Sequence, residues 1–192
     1  MKVASFDIVF QEIPGEVTLA LNLSNCPCHC PGCHSPHLAE DIGEPLTEEL
    51  LDGLIARYGA MITCVCFMGG DADPAEVAHW ADYIKNHQSS IPSDRAARQR
   101  ITNHQSVLRT AWYSGRQQAP FPLGVKSSAR SDCQWPSVEL CRGEASCPFD
   151  YVKLGPYVEA LGGLKSPTTN QRLYKRVGDS WQDITSSFWR HI

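Results

Sequence analysis

Short apolar runs alternate with amphipathic stretches along this chain, and that alternation limits the possible folds more than any other feature. Apolar or alternating runs bounded by turn residues predict strands at 17–23, 61–68, 110–113 and 149–154. Helix-start signals predict helices that begin at Thr47 and at Asp73-Pro74, and Gly178-Asp179 predicts the turn of a hairpin over 171–185. Strand–helix–strand alternation implies parallel βαβ units, so we expect an α/β fold with mostly parallel strands.

Each of the first three predicted strands is followed by residues suited to ligand binding. A cysteine-rich loop at 26–33 follows the first strand, Gly69-Gly70-Asp71 follows the second, and Tyr113-Ser114-Gly115 follows the third. The carboxyl ends of parallel strands meet at one edge of a sheet, where ligands gather in such folds. We therefore expect these three segments to form one site.

Length and composition indicate a single globular domain over residues 1–192, with insert-like stretches at 86–109 and 118–148 that lack clear periodicity. The formal net charge of -4 argues against a protein that mainly binds nucleic acid. No apolar run approaches the ~20 residues that span a bilayer, so no membrane association is expected. The first 16 residues lack the features of a signal peptide, and we expect a cytoplasmic protein.

The nine cysteines favour metal binding over a disulfide scaffold, because the count is odd and disulfides rarely persist in the cytosol. Cys26, Cys30 and Cys33 are spaced C-x3-C-x2-C, with Cys28 as a further thiol between them. Soft thiolates select zinc, copper or iron–sulfur clusters. Two interpretations stay open: a local zinc site closed by Cys26, Cys28, Cys30 and His34, or a [4Fe-4S] cluster held by three cysteines with one iron left open.

The C-x3-C-x2-C loop after the first strand resembles that of the radical S-adenosylmethionine (radical SAM) superfamily, and Gly69-Gly70-Asp71 looks like its glycine-glycine-acid motif. The resemblance implies a partial (β/α) barrel and a [4Fe-4S] cluster whose open iron binds the methionine end of SAM. It also implies reductive cleavage of SAM to methionine and a 5′-deoxyadenosyl radical.

Four segments are similar to one family in particular, the activating proteins of anaerobic ribonucleoside-triphosphate reductase. They are CPGC at 30–33, MGGD at 68–71, WYSG at 112–115 and the stretch FDYVKLGPYVEALGGLKSPTTNQRLY at 149–174. The resemblance implies an oxidoreductase that removes hydrogen from a glycine Cα of the reductase large subunit and leaves a stable glycyl radical. It implies a one-electron donor such as flavodoxin as a further partner.

The same resemblance assigns roles to individual residues. The implied cluster ligands are Cys26, Cys30 and Cys33. The implied SAM contacts are Gly32, Cys33, His34, Gly69, Gly70, Asp71, Ser114 and Gly115. The chain is shorter than the ~250 residues of a full eight-fold barrel, so a partial barrel would leave its mouth open to a polypeptide loop. The alternatives are an activase of another glycyl-radical enzyme, such as pyruvate formate-lyase, and a non-catalytic zinc-binding interaction module.

The remaining candidate residues favour structural roles. Cys28 is expected to be a bystander thiol near the cluster, and Cys64 and Cys66 are expected in the core because buried cysteine behaves as a small hydrophobe. Cys133, Cys141 and Cys147 match no ferredoxin spacing, so no site is expected there. Lys153, Arg172 and Arg176 are alternatively candidates to approach the SAM carboxylate or the partner, but a solvated face is the more economical expectation.

Overall fold

The computed structural model describes residues 1–87, 107–118 and 147–189, which form one eight-stranded sheet and two α-helices. The strands are β1 (Lys2–Val9), β2 (Thr18–Leu23), β3 (Glu44–Pro45), β4 (Cys64–Met68), β5 (Arg109–Tyr113), β6 (Tyr151–Leu154), β7 (Arg172–Val177) and β8 (Ser180–Asp183). The helices are α1 (Glu48–Tyr58) and α2 (Pro74–His87). The strand order across the sheet is β3-β1-β2-β4-β5-β6-β7-β8.

The prediction of a partial (β/α) barrel with mostly parallel strands is wrong. Only the three central pairings, β2–β4, β4–β5 and β5–β6, are parallel. The four outer pairings are antiparallel, and the described residues contain only two α-helices, so the fold is a mixed sheet. The reason lies partly in the connections: the two residues between β7 and β8 and the short segment 10–17 between β1 and β2 are too short for a parallel crossover.

The local signals for the helix starts and the hairpin are confirmed. Thr47 precedes α1, and its side-chain oxygen accepts a hydrogen bond from the Leu50 backbone N–H at 3.2 Å. At the start of α2, the Asp73 carboxylate accepts from the Glu76 N–H at 3.0 Å. Gly178 has a φ of +59° in the turn between β7 and β8. These residues act through contacts within a few positions of themselves, which explains why sequence alone locates them.

Apolar side chains occupy both faces of the sheet. On one face, α1 and α2 pack against alternate residues of the central strands; the strand residues include Leu19, Leu21, Val65, Phe67, Trp112 and Val152. On the other face lies a smaller cluster formed by Ile13, Cys64, Cys66, Ala111, Tyr151 and Leu173. The prediction that Cys64 and Cys66 belong to the core is confirmed, because both are completely buried. Burial also raises the pKa of both thiols, which keeps them protonated at neutral pH.

A buried polar cluster lies at the amino edge of the parallel strands. The Glu16 side chain is 7% exposed and accepts hydrogen bonds from Arg109 Nη1 at 2.5 Å and from the Tyr151 hydroxyl at 2.7 Å. The Thr63 hydroxyl donates to the other carboxylate oxygen at 2.6 Å. The cluster joins the segment before β2 to the starts of β5 and β6, so it fixes this edge of the sheet.

Several sequence predictions fall outside the described residues. The stretches 86–109 and 118–148 lie largely there, together with Cys133 and Cys141. In the part of the chain that the structure describes, neither helix is long and apolar enough to cross a membrane.

Candidate metal centre at the carboxyl edge of the parallel strands

The three segments expected to form one site do meet at one edge of the sheet. The parallel registers place Asn22 of β2 beside Met68 of β4, and Met68 beside Tyr113 of β5. Beyond these ends, the Gly69 N–H donates to the Tyr113 carbonyl at 2.9 Å, which holds the turn after β4 against the end of β5. The cysteine loop, the Gly-Gly-Asp turn and the Ser-Gly turn thus start from adjacent strand ends.

Asp71 is the centre of this arrangement. It is 1% exposed, and its two carboxylate oxygens accept hydrogen bonds from the Ser114 hydroxyl at 2.5 Å and from the Gly115 N–H at 2.9 Å. Arg116 donates from Nη2 to the Asp71 carbonyl at 2.6 Å, and its Nε lies 3.5 Å from the carboxylate. These contacts fix the carboxylate and balance its charge, so the turn after β4 is fastened to the turn after β5.

Glycines are required where these turns approach their neighbours. Gly70 has a φ of +80°, and a Cβ there would lie 2.5 Å from the Val77 side chain of α2. Gly115 has no unusual φ, but a Cβ there would lie 2.5 Å from Cys28 Sγ. Both distances are too short for a side chain to fit without displacing its neighbour. The site is therefore closely packed on the side of α2 and on the side of the cysteine loop.

Two cysteines of the loop lie beside the buried carboxylate. Ligand atoms of Cys26, Cys28 and Asp71 all lie within 4.8 Å of one another, and Cys28 Sγ is 3.7 Å from Asp71 Oδ2. A hydrogen bond with Cys28 lowers the pKa of Cys26, which favours its thiolate. The same hydrogen bond, burial and the Asp71 carboxylate raise the pKa of Cys28.

The other two cysteines of the loop lie outside this three-donor group. The Cys33 N–H donates to the Cys30 carbonyl at 3.1 Å, and the Ser35 N–H donates to Cys33 Sγ at 3.4 Å. All four loop thiols are partly exposed and free of disulfides. The implied ligands Cys26, Cys30 and Cys33 therefore lie on one accessible loop. Next to the Asp71 carboxylate, however, the second sulfur beside Cys26 is that of Cys28.

The residues around Cys33 contact the segment that follows β6. A Cβ at Gly32, whose φ is +72°, would lie 3.1 Å from the Glu159 carboxylate. The His34 ring packs against the Tyr157 ring with centroids 4.7 Å apart. Tyr157 and Glu159 were not selected from the sequence, since the register that brings them to the cysteine loop depends on the pairing of β6 in the sheet.

Lys153 adds a buried positive charge, which corrects the expectation of a solvated face. Its side chain belongs to β6, and Nζ donates to the Ser114 carbonyl at 3.3 Å and to the Gly155 carbonyl at 2.8 Å. Burial lowers its pKa to about 8, although the Asp71 charge acts in the opposite direction. Its position within the apolar run YVKL is the sequence signal for a buried lysine.

The site thus combines free thiols, one fixed carboxylate and two cationic side chains at a single sheet edge. Its donor set suits a thiophilic metal, because thiolates are soft ligands. Comparisons of the chain with protein-family models, curated proteins and solved structures find no match.

Proposed function

We propose that this chain is a radical SAM activating enzyme for anaerobic ribonucleoside-triphosphate reductase, with a [4Fe-4S] cluster held by Cys26, Cys30 and Cys33. The observation that carries the proposal is the meeting of the cysteine loop with Gly69-Gly70-Asp71 and Ser114-Gly115 at one edge of the parallel strands. The sheet is mixed rather than mostly parallel, but the ends of β2, β4 and β5 still lie next to one another.

The thiols of the loop fit an iron–sulfur cluster in kind and in accessibility. Cys26, Cys30 and Cys33 are free and partly exposed on one loop, and the lowered pKa of Cys26 favours its thiolate. A loop with three cysteine ligands leaves one iron of a [4Fe-4S] cube open to an external ligand. These properties support the proposed ligand set.

The charged side chains at the edge suit the two ends of an amino acid. When bound, the cluster and SAM would supply the electron transfer and the radical chemistry. Asp71 provides negative charge for an ammonium group, and Lys153 provides positive charge for a carboxylate. Gly69 and Gly70 have φ values of +97° and +80°, so this turn presents backbone that a ligand can approach closely.

The test is anaerobic reconstitution with iron and sulfide, followed by incubation with SAM and a chemical reductant. We expect about four irons per chain and release of methionine and 5′-deoxyadenosine. Cys33→Ser should lose SAM cleavage, whereas Cys147→Ser, a matched change of a partly exposed cysteine outside the loop, should retain it. Absence of iron uptake and of SAM cleavage in the parent chain would refute the proposal.

The protein substrate is tested separately by electron paramagnetic resonance. We expect a glycyl radical on anaerobic ribonucleoside-triphosphate reductase after incubation with the reconstituted chain, SAM and reductant. A radical on pyruvate formate-lyase but not on the reductase would reassign the substrate and keep the chemistry. Stoichiometric zinc binding, together with no iron uptake by the chain after zinc has been removed, would instead favour the zinc-binding interaction module, for which the grouping of Cys26, Cys28 and Asp71 is the supporting observation.

A further inference from the structure

We propose that Cys26, Cys28 and Asp71 form a binding site for one thiophilic divalent cation, such as Zn²⁺. We further infer that this single-ion site and the proposed cluster exclude each other, because both need Cys26 as a ligand. The ion site depends only on the observed grouping of three donors. The exclusion also rests on the proposed function.

The distances between the donors match a tetrahedral site. Zinc–sulfur bonds of about 2.3 Å and zinc–oxygen bonds of about 2.1 Å place neighbouring ligand atoms roughly 3.6–3.8 Å apart. Cys28 Sγ and Asp71 Oδ2 are already 3.7 Å apart, and all three donor atoms lie within 4.8 Å of one another. Only a small movement of Cys26 Sγ is needed, and three protein ligands leave a fourth position for water.

The surroundings of Asp71 are those of an oriented metal ligand. The Ser114 hydroxyl and the Gly115 N–H hold both carboxylate oxygens, which fixes the direction of the remaining lone pairs. Two thiolates and one carboxylate carry three negative charges, against two on the ion. Arg116, paired with Asp71, offsets part of the excess, which favours a divalent over a monovalent ion.

Gly115 sets the position of the second thiolate. A Cβ at this residue would lie 2.5 Å from Cys28 Sγ and 3.1 Å from Cys28 Cβ, so any side chain there displaces Cys28. Gly115 does not have a positive φ, so its φ does not require glycine. Gly115→Ala therefore displaces the Cys28 sulfur but keeps all three ligand residues of the site.

The experiment uses Co²⁺ as a spectroscopic substitute for Zn²⁺, added to the metal-free, reduced chain under anaerobic conditions. We expect one Co²⁺ per chain, with thiolate-to-metal charge transfer and the intense ligand-field bands of a tetrahedral site. Cys28→Ser and Gly115→Ala should each weaken binding at least tenfold, while Cys33→Ser should leave binding unchanged. Circular dichroism confirms that each variant is folded, and the two independent variants protect the test against the misfolding of either.

The exclusion is tested by adding iron and sulfide to the Zn²⁺-loaded chain. We expect Zn²⁺ to block iron uptake by the parent chain but not by Cys28→Ser, which lacks the ion site and keeps the three proposed cluster ligands. Cys26→Ser should lose both metals. A failure of the proposed function would appear as no iron uptake by any variant while the Co²⁺ results stay as expected.

Two results would overturn the ion site itself. One is Co²⁺ binding that is lost in Cys33→Ser and kept in Cys28→Ser, which would place the ion among Cys26, Cys30 and Cys33. The other is the absence of tetrahedral Co²⁺ bands in the parent chain at millimolar metal. Iron uptake by the Zn²⁺-loaded parent chain, without release of Zn²⁺, would overturn the exclusion.

Discussion

Replacing Lys153 by methionine tests the electrostatics of the candidate site directly. Methionine keeps the length and most of the volume of the lysine side chain, and it removes the charge that β6 buries behind the site. The substitution also removes the hydrogen bonds from Nζ to the Ser114 and Gly155 carbonyls. Loss of the buried charge raises the free energy of unfolding, and loss of the hydrogen bonds lowers it. Only the effect of the charge depends on pH, so the two can be separated.

The magnitude follows from the pKa of Lys153, which burial lowers from about 10.5 to about 8. Below pH 8 both the folded and the unfolded chain hold the proton, and the folded chain bears the cost of the buried charge. Between pH 8 and 10.5 only the unfolded chain holds it, so the free energy of unfolding rises with pH. The total rise is about 3 kcal/mol, at about 1.4 kcal/mol per pH unit.

Lys153→Met lacks this pH-dependent contribution. We therefore expect the free energy of unfolding of the variant, minus that of the parent, to fall by about 3 kcal/mol between pH 7 and pH 10.5. The lost hydrogen bonds, each worth about 1 kcal/mol, shift the difference at every pH and leave its slope unchanged. Urea denaturation of the metal-free, reduced chain at several pH values measures the difference.

Lys165→Met, which removes an exposed lysine, controls for the general loss of a positive charge. A difference between Lys153→Met and the parent that stays constant within about 1 kcal/mol over this pH range would refute the reasoning, because it would mean that the folded chain keeps Lys153 protonated.

Three further substitutions test the core, the start of α1 and the buried polar cluster, each by urea denaturation. Phe67→Ala should lower the free energy of unfolding by about 3–5 kcal/mol because this ring is fully buried against the helices, and Phe67→Leu should cost less. Thr47→Ala should cost about 1 kcal/mol through loss of the cap to Leu50, whereas Thr47→Ser should be nearly neutral; equal effects would exclude capping. Tyr151→Phe should cost about 1.5–3 kcal/mol because it removes a buried hydrogen bond to the Glu16 carboxylate. Tyr174→Phe, at a half-buried ring, is its control, and a similar cost for both would contradict the role of Glu16.

Features set by a residue's near neighbours in the chain are the ones that the sequence predicts correctly. Thr47 caps α1, Asp73 caps α2, and Gly178 turns the final hairpin, as expected. The predicted strands at 17–23 and 110–113 differ from β2 and β5 by one residue at the start. In each case the signal and its effect lie within a few positions, so no knowledge of the tertiary structure is needed.

Strand direction and the edge strand β1 were beyond these local signals. β1 was not predicted, because residues 2–9 are half-exposed along much of their length and show no clean alternation of buried and exposed positions. Its pairing with β2, and that of β7 with β6, makes the outer sheet antiparallel. Direction is set by which strands become neighbours, and that choice depends on the packing of the whole sheet.

In the candidate site, too, the local features were predicted and those that depend on tertiary contacts were not. The spacing of the cysteines places four thiols on one loop, and the strand ends predict that Asp71 and Ser114 lie near it. The spacing does not say which sulfur approaches the carboxylate, and Cys28, expected to be a bystander, is the thiol that contacts Asp71. That contact depends on the space left by Gly115, which belongs to a segment distant in sequence.

The order of the strands has a consequence for how the molecule folds. The hairpins β1–β2 and β7–β8 join neighbours in sequence and can form within about 1–10 μs. Pairing β4 with β5 and β5 with β6 closes loops of residues 69–108 and 114–150. The entropy cost of closing these loops comes before the contacts between the strands can stabilise the sheet. We therefore expect the sheet edge that carries Asp71 to assemble more slowly than either hairpin, so that the pairing of β4, β5 and β6 limits the folding rate.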